Sequence, residues 1–189
     1  MGMTADQTFY PTAKMAMESP KEELAYVATL NVHGKPDSLS TVDVNPESSS
    51  YLSRVGELTL PNIGDELHHF GWNACSAHLC PYAPHPDVER RYLLIPGLRS
   101  SRMYIVDTKE NPKDPKIIRT IEPEELMEKT GYSRPHTIHC GPEGIYVSAL
   151  GGGTQSGEGP GGIFLMDHLT LDIIGQWEND RGPQHYAYD

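Results

Sequence analysis

The chain has 189 residues, of which 37% are hydrophobic, 18 are glycine and 16 are proline, and its formal net charge is −11 at pH 7. This length fits one ordinary domain or one large all-β domain, and so many glycines and prolines are typical of short strands joined by turns. The negative charge and the scattered basic residues argue against a nucleic-acid partner, and no apolar run is long enough to span a membrane.

Residues 1–23 are polar and turn-prone, and we expect them to form an N-terminal arm rather than part of the core. The first ten residues have no basic segment followed by an apolar one, so they do not form a secretory signal, and we expect a cytoplasmic protein. Residues 24–189 then form the folded part of the chain.

A strand–Asp–turn–strand unit recurs along this folded part. Asp43, Asp107 and Asp167 each follow an apolar strand and precede a turn and a second strand, at intervals of 64 and 60 residues. The aspartate is expected to bind the turn backbone, and hairpins repeated at a near-constant period can cover one another's apolar faces. The predicted strands are 25–31, 38–44, 54–60, 92–96, 116–121, 144–150, 162–166 and 171–177.

One helix is predicted at residues 122–130, because Pro123 suits the first helical position and Gly131 suits the end. Residues 151–162 are rich in glycine and are expected to form a mobile loop. They lack the strand, the spacing and the lysine of a phosphate-binding loop.

Repeated strands of this kind predict an all-β fold, a β-propeller built of four-stranded blades. The chain has room for about three blades, fewer than a closed propeller needs. We therefore expect residues 24–189 to be a portion of a longer β-propeller domain, and the family resemblance given below implies its N-terminal portion. Its open strand edges would pair with the remaining blades or promote self-association.

Two clusters hold four of the nine histidines. His68 and His69 precede an aromatic segment, and His136 and His139 lie in a second cluster about one repeat later. Adjacent side chains on a strand point to opposite faces, so only one of His68 and His69 is expected to enter a given site. A three-residue separation can place the rings of His136 and His139 on one side of a turn. Imidazoles projecting from equivalent strand ends predict a metal site in a central channel, although structural histidines are the alternative.

Three cysteines without regular spacing do not predict a disulfide framework. We expect these thiols to be free, metal-bound or buried, with Cys75 and Cys140 as possible thiol ligands because each lies beside a histidine cluster. A structural zinc loop formed by Cys75, His78, Cys80 and His85 is a weaker alternative, since no second ligand pair of suitable spacing lies nearby.

Several of these stretches resemble the selenium-binding protein family, which includes methanethiol oxidases. The most specific blocks are His-His-Phe-Gly-Trp-Asn from His68 to Asn73 and His-Thr-Ile-His-Cys from His136 to Cys140. The resemblance covers nearly the whole chain from about Ala25 onward. The other matching segments are residues 40–46, 60–62, 100–107, 121–123, 161–167 and 177–178.

The resemblance implies a seven-bladed propeller of which this chain supplies the first part. It implies copper-dependent oxidation of methanethiol, a small thiol substrate, to formaldehyde, hydrogen sulfide and hydrogen peroxide. It also implies that four histidines of this chain are copper ligands and that histidines from later blades complete the ligand shell. The four are His68, His69, His136 and His139.

This sequence departs from the family at two places. Leu52 stands where animal members carry the cysteine linked to selenium, so selenium binding at that position is not expected. His78 stands where relatives commonly carry the second cysteine of a Cys-x-x-Cys pair. A non-enzymatic selenium- or thiol-binding propeller is the alternative function, and an inactive truncated fragment is a third.

Overall fold

The computed structural model describes residues 9–75, 87–153, 159–180, 182–183 and 186–188. Within these ranges the chain forms two helices and eleven strands. The helices are α1 (Ala13–Glu18) and α2 (Pro123–Thr130). The strands are β1 (Leu24–Thr29), β2 (Pro36–Asp43), β3 (Arg54–Ile63), β4 (Gly71–Trp72), β5 (Tyr92–Pro96), β6 (Met103–Asp107), β7 (Lys116–Ile121), β8 (Pro135–Gly141), β9 (Gly144–Ala149), β10 (Gly162–Met166) and β11 (Ile173–Gln176).

The strands form three consecutive antiparallel sheets, and the all-β prediction is confirmed. The first sheet has the order β1-β2-β3, the second β4-β5-β6-β7 and the third β8-β9-β10-β11. Neighbours in sequence are neighbours in the sheet, as in the blades of a propeller. Strands β4 and β8 are therefore edge strands of the second and third sheets, and they lie against each other.

The repeated aspartates occupy equivalent positions in the three sheets. Asp43 ends β2, Asp107 ends β6 and Asp167 follows β10. In each case Oδ1 accepts the backbone N–H two residues further on, at 2.9, 2.9 and 2.8 Å. The predicted aspartate turns are confirmed, and they show that β1-β2-β3 corresponds to β5-β6-β7 and to β9-β10-β11.

The second sheet is buried on both faces. Alternate residues along β5 and β6 enter different clusters: Leu93 and Tyr104 pack toward the first sheet, whereas Leu94 and Ile105 pack toward the third. Because side chains alternate between the two faces of a strand, a strand covered on both sides must be apolar throughout. This explains the continuous apolar runs of β5 and β6. The second sheet thus packs between the first and the third.

Helix α2 confirms the prediction, and its C-cap is Gly131, whose φ of +71° lies in the left-handed region that glycine tolerates. Helix α1 was not predicted; it lies in the arm, and the side chain of Thr12 caps it. Neither helix in the described ranges is long and apolar enough to cross a membrane. The predicted loop 151–162 falls partly outside the described residues, and its last glycine begins β10.

Candidate metal centre

The candidate site lies where the second and third sheets meet. We call this contact, between residues 68–75 and β8, the seam. The N–H of Ile138 on β8 donates to the carbonyl of His69 at 3.2 Å. A Cβ on Gly71 would lie 2.5 Å from the Ile138 carbonyl oxygen. Glycine at this position therefore permits the close approach of the two chain segments.

Three of the four predicted histidines come together at the seam. The ring centroids of His68 and His69 lie 4.6 and 4.5 Å from that of His136, and 5.7 Å from each other. One ring nitrogen from each residue lies within 4.8 Å of those from the other two. His136 is completely buried, whereas His69 is exposed. The group is thus anchored in protein on one side and open to solvent on the other.

The prediction that only one of His68 and His69 faces the site is wrong. Both residues precede β4, so the strict alternation of a strand does not apply to them. The backbone changes partner at this point: the His68 N–H donates to the carbonyl of Pro96 at 3.0 Å, while the His69 carbonyl accepts from β8. Outside a regular strand, consecutive side chains can reach the same side.

His139 lies outside the group. It is on the same strand as His136, but its side chain is exposed. Pairing of β8 with β9 shifts register between Pro135 and Ile138, so an irregular segment holds His136 and a regular one holds His139. His136 and His139 are three residues apart on β8, and an odd separation on a strand places side chains on opposite faces, so we do not place His139 among the ligands.

The two cysteines proposed as thiol ligands are bonded to each other instead. Cys75 and Cys140 form a disulfide across the seam, with their Cα atoms 6.1 Å apart. The expectation of free or metal-bound thiols is therefore corrected for this pair, because a disulfide sulfur is not a thiolate ligand. The third cysteine, Cys80, lies outside the described residues together with His78 and His85, so the zinc-loop alternative does as well.

The histidines are held by neighbours that the sequence did not single out. The Thr137 hydroxyl oxygen lies 2.8 Å from Nδ1 of His136 and 3.4 Å from Nδ1 of His69. Glu66 lies 3.4 Å from Nε2 of His68, and a hydrogen bond from Arg99 is the main cause that lowers the pKa of the Glu66 carboxyl. Polar partners of this kind fix ring orientation in metal sites, and they are recognisable only once the rings have been located.

The donor set suits a transition metal. Imidazole nitrogen binds copper, zinc, iron and nickel well. Bonds of about 2.0–2.1 Å place two nitrogens on one ion at most about 4.2 Å apart, so small ring rotations would bring nitrogens within 4.8 Å into range. Three protein ligands would leave a coordination position for a substrate or water.

Leu52 has no part in this site. It lies in the exposed turn between β2 and β3, with a φ of +60° and its N–H bonded to the carbonyl of Asp43 at 2.7 Å. The aliphatic side chain of Leu52 carries no thiol group.

Comparison with known proteins supports the family resemblance found in the sequence. The profile of the 56kDa selenium binding protein family (SBP56) matches residues 3–189. Selenium-binding protein 3 of Arabidopsis thaliana is 44% identical over 184 residues, which are 95% of this chain and 37% of that protein. Methanethiol oxidase of Danio rerio is 40% identical over 184 residues, which are 95% of this chain and 39% of that protein.

A solved structure is similar over the same range. The hypothetical selenium-binding protein from Sulfolobus tokodaii shares 57% sequence identity and superposes with a TM-score of 0.87, covering 97% of this chain and 40% of its own length. The chain thus spans about two-fifths of the length of the proteins it matches. Matching over nearly all of its residues, the chain belongs to the 56 kDa selenium-binding protein family.

Proposed function

We propose that this chain carries metal ligands for a copper-dependent methanethiol oxidase activity. The observation that carries the proposal is the group of three histidines at the seam, His68, His69 and His136, whose ring nitrogens lie within 4.8 Å of one another. Relatives named methanethiol oxidase, from Danio rerio and Bos taurus, are 40% and 41% identical over 184 residues. Because the chain spans about two-fifths of their length, the activity of the whole protein is part of the proposal.

The proposed reaction is balanced by dioxygen and water. One methanethiol, one dioxygen and one water give one formaldehyde, one hydrogen sulfide and one hydrogen peroxide. The carbon loses two electrons as a C–H and the C–S bond break and a C=O bond forms, and dioxygen gains those two electrons. Copper, when bound, would supply a soft acceptor for the substrate sulfur and electron exchange with oxygen.

The residues of the chain have distinct parts in this scheme. His136 is fully buried and bonded through Nδ1 to Thr137, so it would anchor the ion from the protein side. His69 is exposed, so a small thiol can approach from its side. Glu66 lies beside His68 and would favour a fixed orientation of that ring.

Copper loading tests the ligand assignment. The purified wild-type chain, His136→Ala and His69→Ala are loaded with copper, desalted and analysed by inductively coupled plasma spectrometry, with His139→Ala as the matched control. We expect about one copper per chain in the wild type and in the His139 variant, and a loss of most of it in the other two. Equal copper in all four proteins would overturn the assignment.

A second candidate function is a non-enzymatic selenium- or thiol-binding propeller. It is favoured by the selenium-binding proteins of Arabidopsis thaliana, which are 42–44% identical to this chain, and it is disfavoured by Leu52. Incubation with methanethiol separates the two, because only the oxidase consumes oxygen and releases sulfide. The assay is run on the copper-loaded chain alone and on the chain joined to the remaining blades of a relative.

The partners and the location are also proposals. We propose that further blades, or a second copy of the chain, cover the open strand edges, and sedimentation velocity would detect the second copy as a dimer. We keep the cytoplasm as the proposed location. Disulfides are rare in the cytosol of mesophiles, so trapping the thiol state of Cys75 and Cys140 in fractionated cells tests that location directly.

A further inference from the structure

We propose that Thr137 is a positioning residue that sets the tautomer of two of the seam histidines, His136 and His69, so that both direct Nε2 toward a bound metal. The inference deepens the proposed function and rests on its metal site. It concerns a hydroxyl group that would touch neither metal nor substrate.

The geometry at the hydroxyl carries the argument. Thr137 is buried on β8, with 6% of its surface exposed. Its Oγ1 lies 2.8 Å from Nδ1 of His136 and 3.4 Å from Nδ1 of His69, and it donates to the carbonyl oxygen of Tyr188 at 3.2 Å. One oxygen atom therefore faces two imidazoles and one carbonyl.

The direction of these hydrogen bonds follows from valence. A hydroxyl has one hydrogen and two lone pairs, and a carbonyl oxygen can only accept. If Thr137 gave its hydrogen to an imidazole, its lone pairs would face those of the Tyr188 carbonyl at 3.2 Å and repel them. Giving the hydrogen to Tyr188 leaves two lone pairs, one for the Nδ1–H of each ring.

The carbonyl of Tyr188 is itself held in place. Ser148 donates its hydroxyl hydrogen to that carbonyl at 2.7 Å and accepts the backbone N–H of Thr137 at 3.1 Å. Thr137, Ser148 and Tyr188 thus close a ring of hydrogen bonds with a fixed sense. These bonds keep the hydroxyl hydrogen of Thr137 on the Tyr188 side, so the lone pairs of Oγ1 face the histidines.

The consequence for the imidazoles is a defined tautomer. A neutral ring with its hydrogen on Nδ1 carries its lone pair on Nε2, which is the nitrogen a metal would bind. The contact to His136 is short and that to His69 is long, so the constraint is stronger on His136. The proposal does not extend to His68, whose Nε2 lies 3.4 Å from Glu66.

Nitrogen NMR of the metal-free chain tests the inference without any metal. With imidazole ¹⁵N labels in mildly alkaline buffer, we expect His136 to carry its hydrogen on Nδ1 in the wild type and in Thr137→Ser, which keeps the hydroxyl. Thr137→Val has nearly the same shape without the hydroxyl, and it should show a mixture of tautomers. A hydrogen on Nε2 of His136 in the wild type, or an unchanged tautomer in Thr137→Val, would overturn the proposal.

Copper(II) titration gives the second readout. Loss of a hydrogen-bond partner of a ligand histidine typically lowers metal affinity by about 10- to 100-fold, so we expect that loss for Thr137→Val and a change within a few-fold for Thr137→Ser. Thr130→Val is the matched control, since Thr130 is also buried and hydrogen-bonded but lies on α2. It should lower the melting temperature and leave copper affinity unchanged.

The two experiments separate the inference from the function on which it rests. Absence of copper binding by the wild type, with the expected tautomers, would refute the copper site and leave the role of Thr137 in ring orientation standing. Copper binding that is equally tight in the wild type and Thr137→Val would refute the role of Thr137 alone.

Discussion

The turn aspartates and the seam histidines are both groups of polar side chains in a largely apolar stack, yet they are built in opposite ways. Asp43, Asp107 and Asp167 recur once in each sheet, and each accepts a backbone N–H of its own turn. His69 and His136 come from two different sheets and meet once. A polar residue repeated in every blade is explained by local structure, whereas one that occurs only where blades meet needs another explanation, and the proposed metal site supplies it.

The largest expected effect on stability comes from the disulfide at the seam. Cys75 and Cys140 are separated by 65 residues, and closing a loop of that length stabilises a fold by about 4 kcal/mol in the chain-entropy account. Urea unfolding with and without reductant should show a loss of this size. The double variant Cys75→Ser/Cys140→Ser should be insensitive to reductant, and an unchanged midpoint for the wild type would contradict the pairing.

The next test asks whether the close approach of the two segments at the seam is needed to position the histidine rings. Gly71→Ala would place a Cβ 2.5 Å from the Ile138 carbonyl oxygen, and overpacking of this kind costs about 1–3 kcal/mol. Gly34→Ala is the matched variant: its φ is +70° with open space around it, and a side chain in that conformation costs about 1–2 kcal/mol.

These two glycine variants should have similar melting temperatures and differ in metal binding. We expect weaker copper binding only for Gly71→Ala, because its backbone lies two residues from His69. Equal copper affinity in both variants would mean that the seam can shift without disturbing the rings.

A smaller effect is expected at the turns. Oδ1 of Asp167 accepts two backbone N–H groups, from Leu169 and Thr170, both at 2.8 Å. Removing both bonds in Asp167→Ala should lower the free energy of unfolding by about 1–2 kcal/mol, while Asp167→Asn keeps an acceptor oxygen and should lose less. Copper affinity should stay at the wild-type value. A fall in affinity would contradict a purely local role for the turn aspartates.

The smallest effect is the acid sensitivity of the same turns. A hydrogen bond from Arg91 is the main cause that lowers the pKa of Asp107. Its folded-state pKa thus lies below the unfolded value of about 3.9, so its contribution is present above that value and is lost as the pH falls through the folded pKa.

For this partly exposed pair the loss should be on the order of 1 kcal/mol or less. Urea midpoints measured from pH 5 to pH 2.5 would show it as a falling slope below about pH 4. Asp107→Asn should have a shallower slope than the wild type, and an equal slope would assign the acid sensitivity to other groups.

Much of the fold could be predicted from the sequence, because strands and aspartate turns depend on residues close together in the chain. The site could be predicted only in part. His136 was found by its motif, whereas His139 is excluded because both residues lie on one strand, where side chains three residues apart point to opposite faces. The pairing of Cys75 with Cys140 and the contact of Thr137 with two rings depend on how edge strands from separate sheets meet, which no local pattern encodes.

The hydrogen bonds to the Tyr188 carbonyl bear on when the site can form during protein synthesis. His69 is added to the growing chain about 120 residues before Tyr188. At about 5–20 residues per second, the delay is on the order of ten seconds. At the proposed metal site, an ion that arrives earlier would meet two neighbouring imidazoles without the hydrogen bonds that Thr137 and Ser148 make to that carbonyl, so we expect tight binding only after Tyr188 has been added.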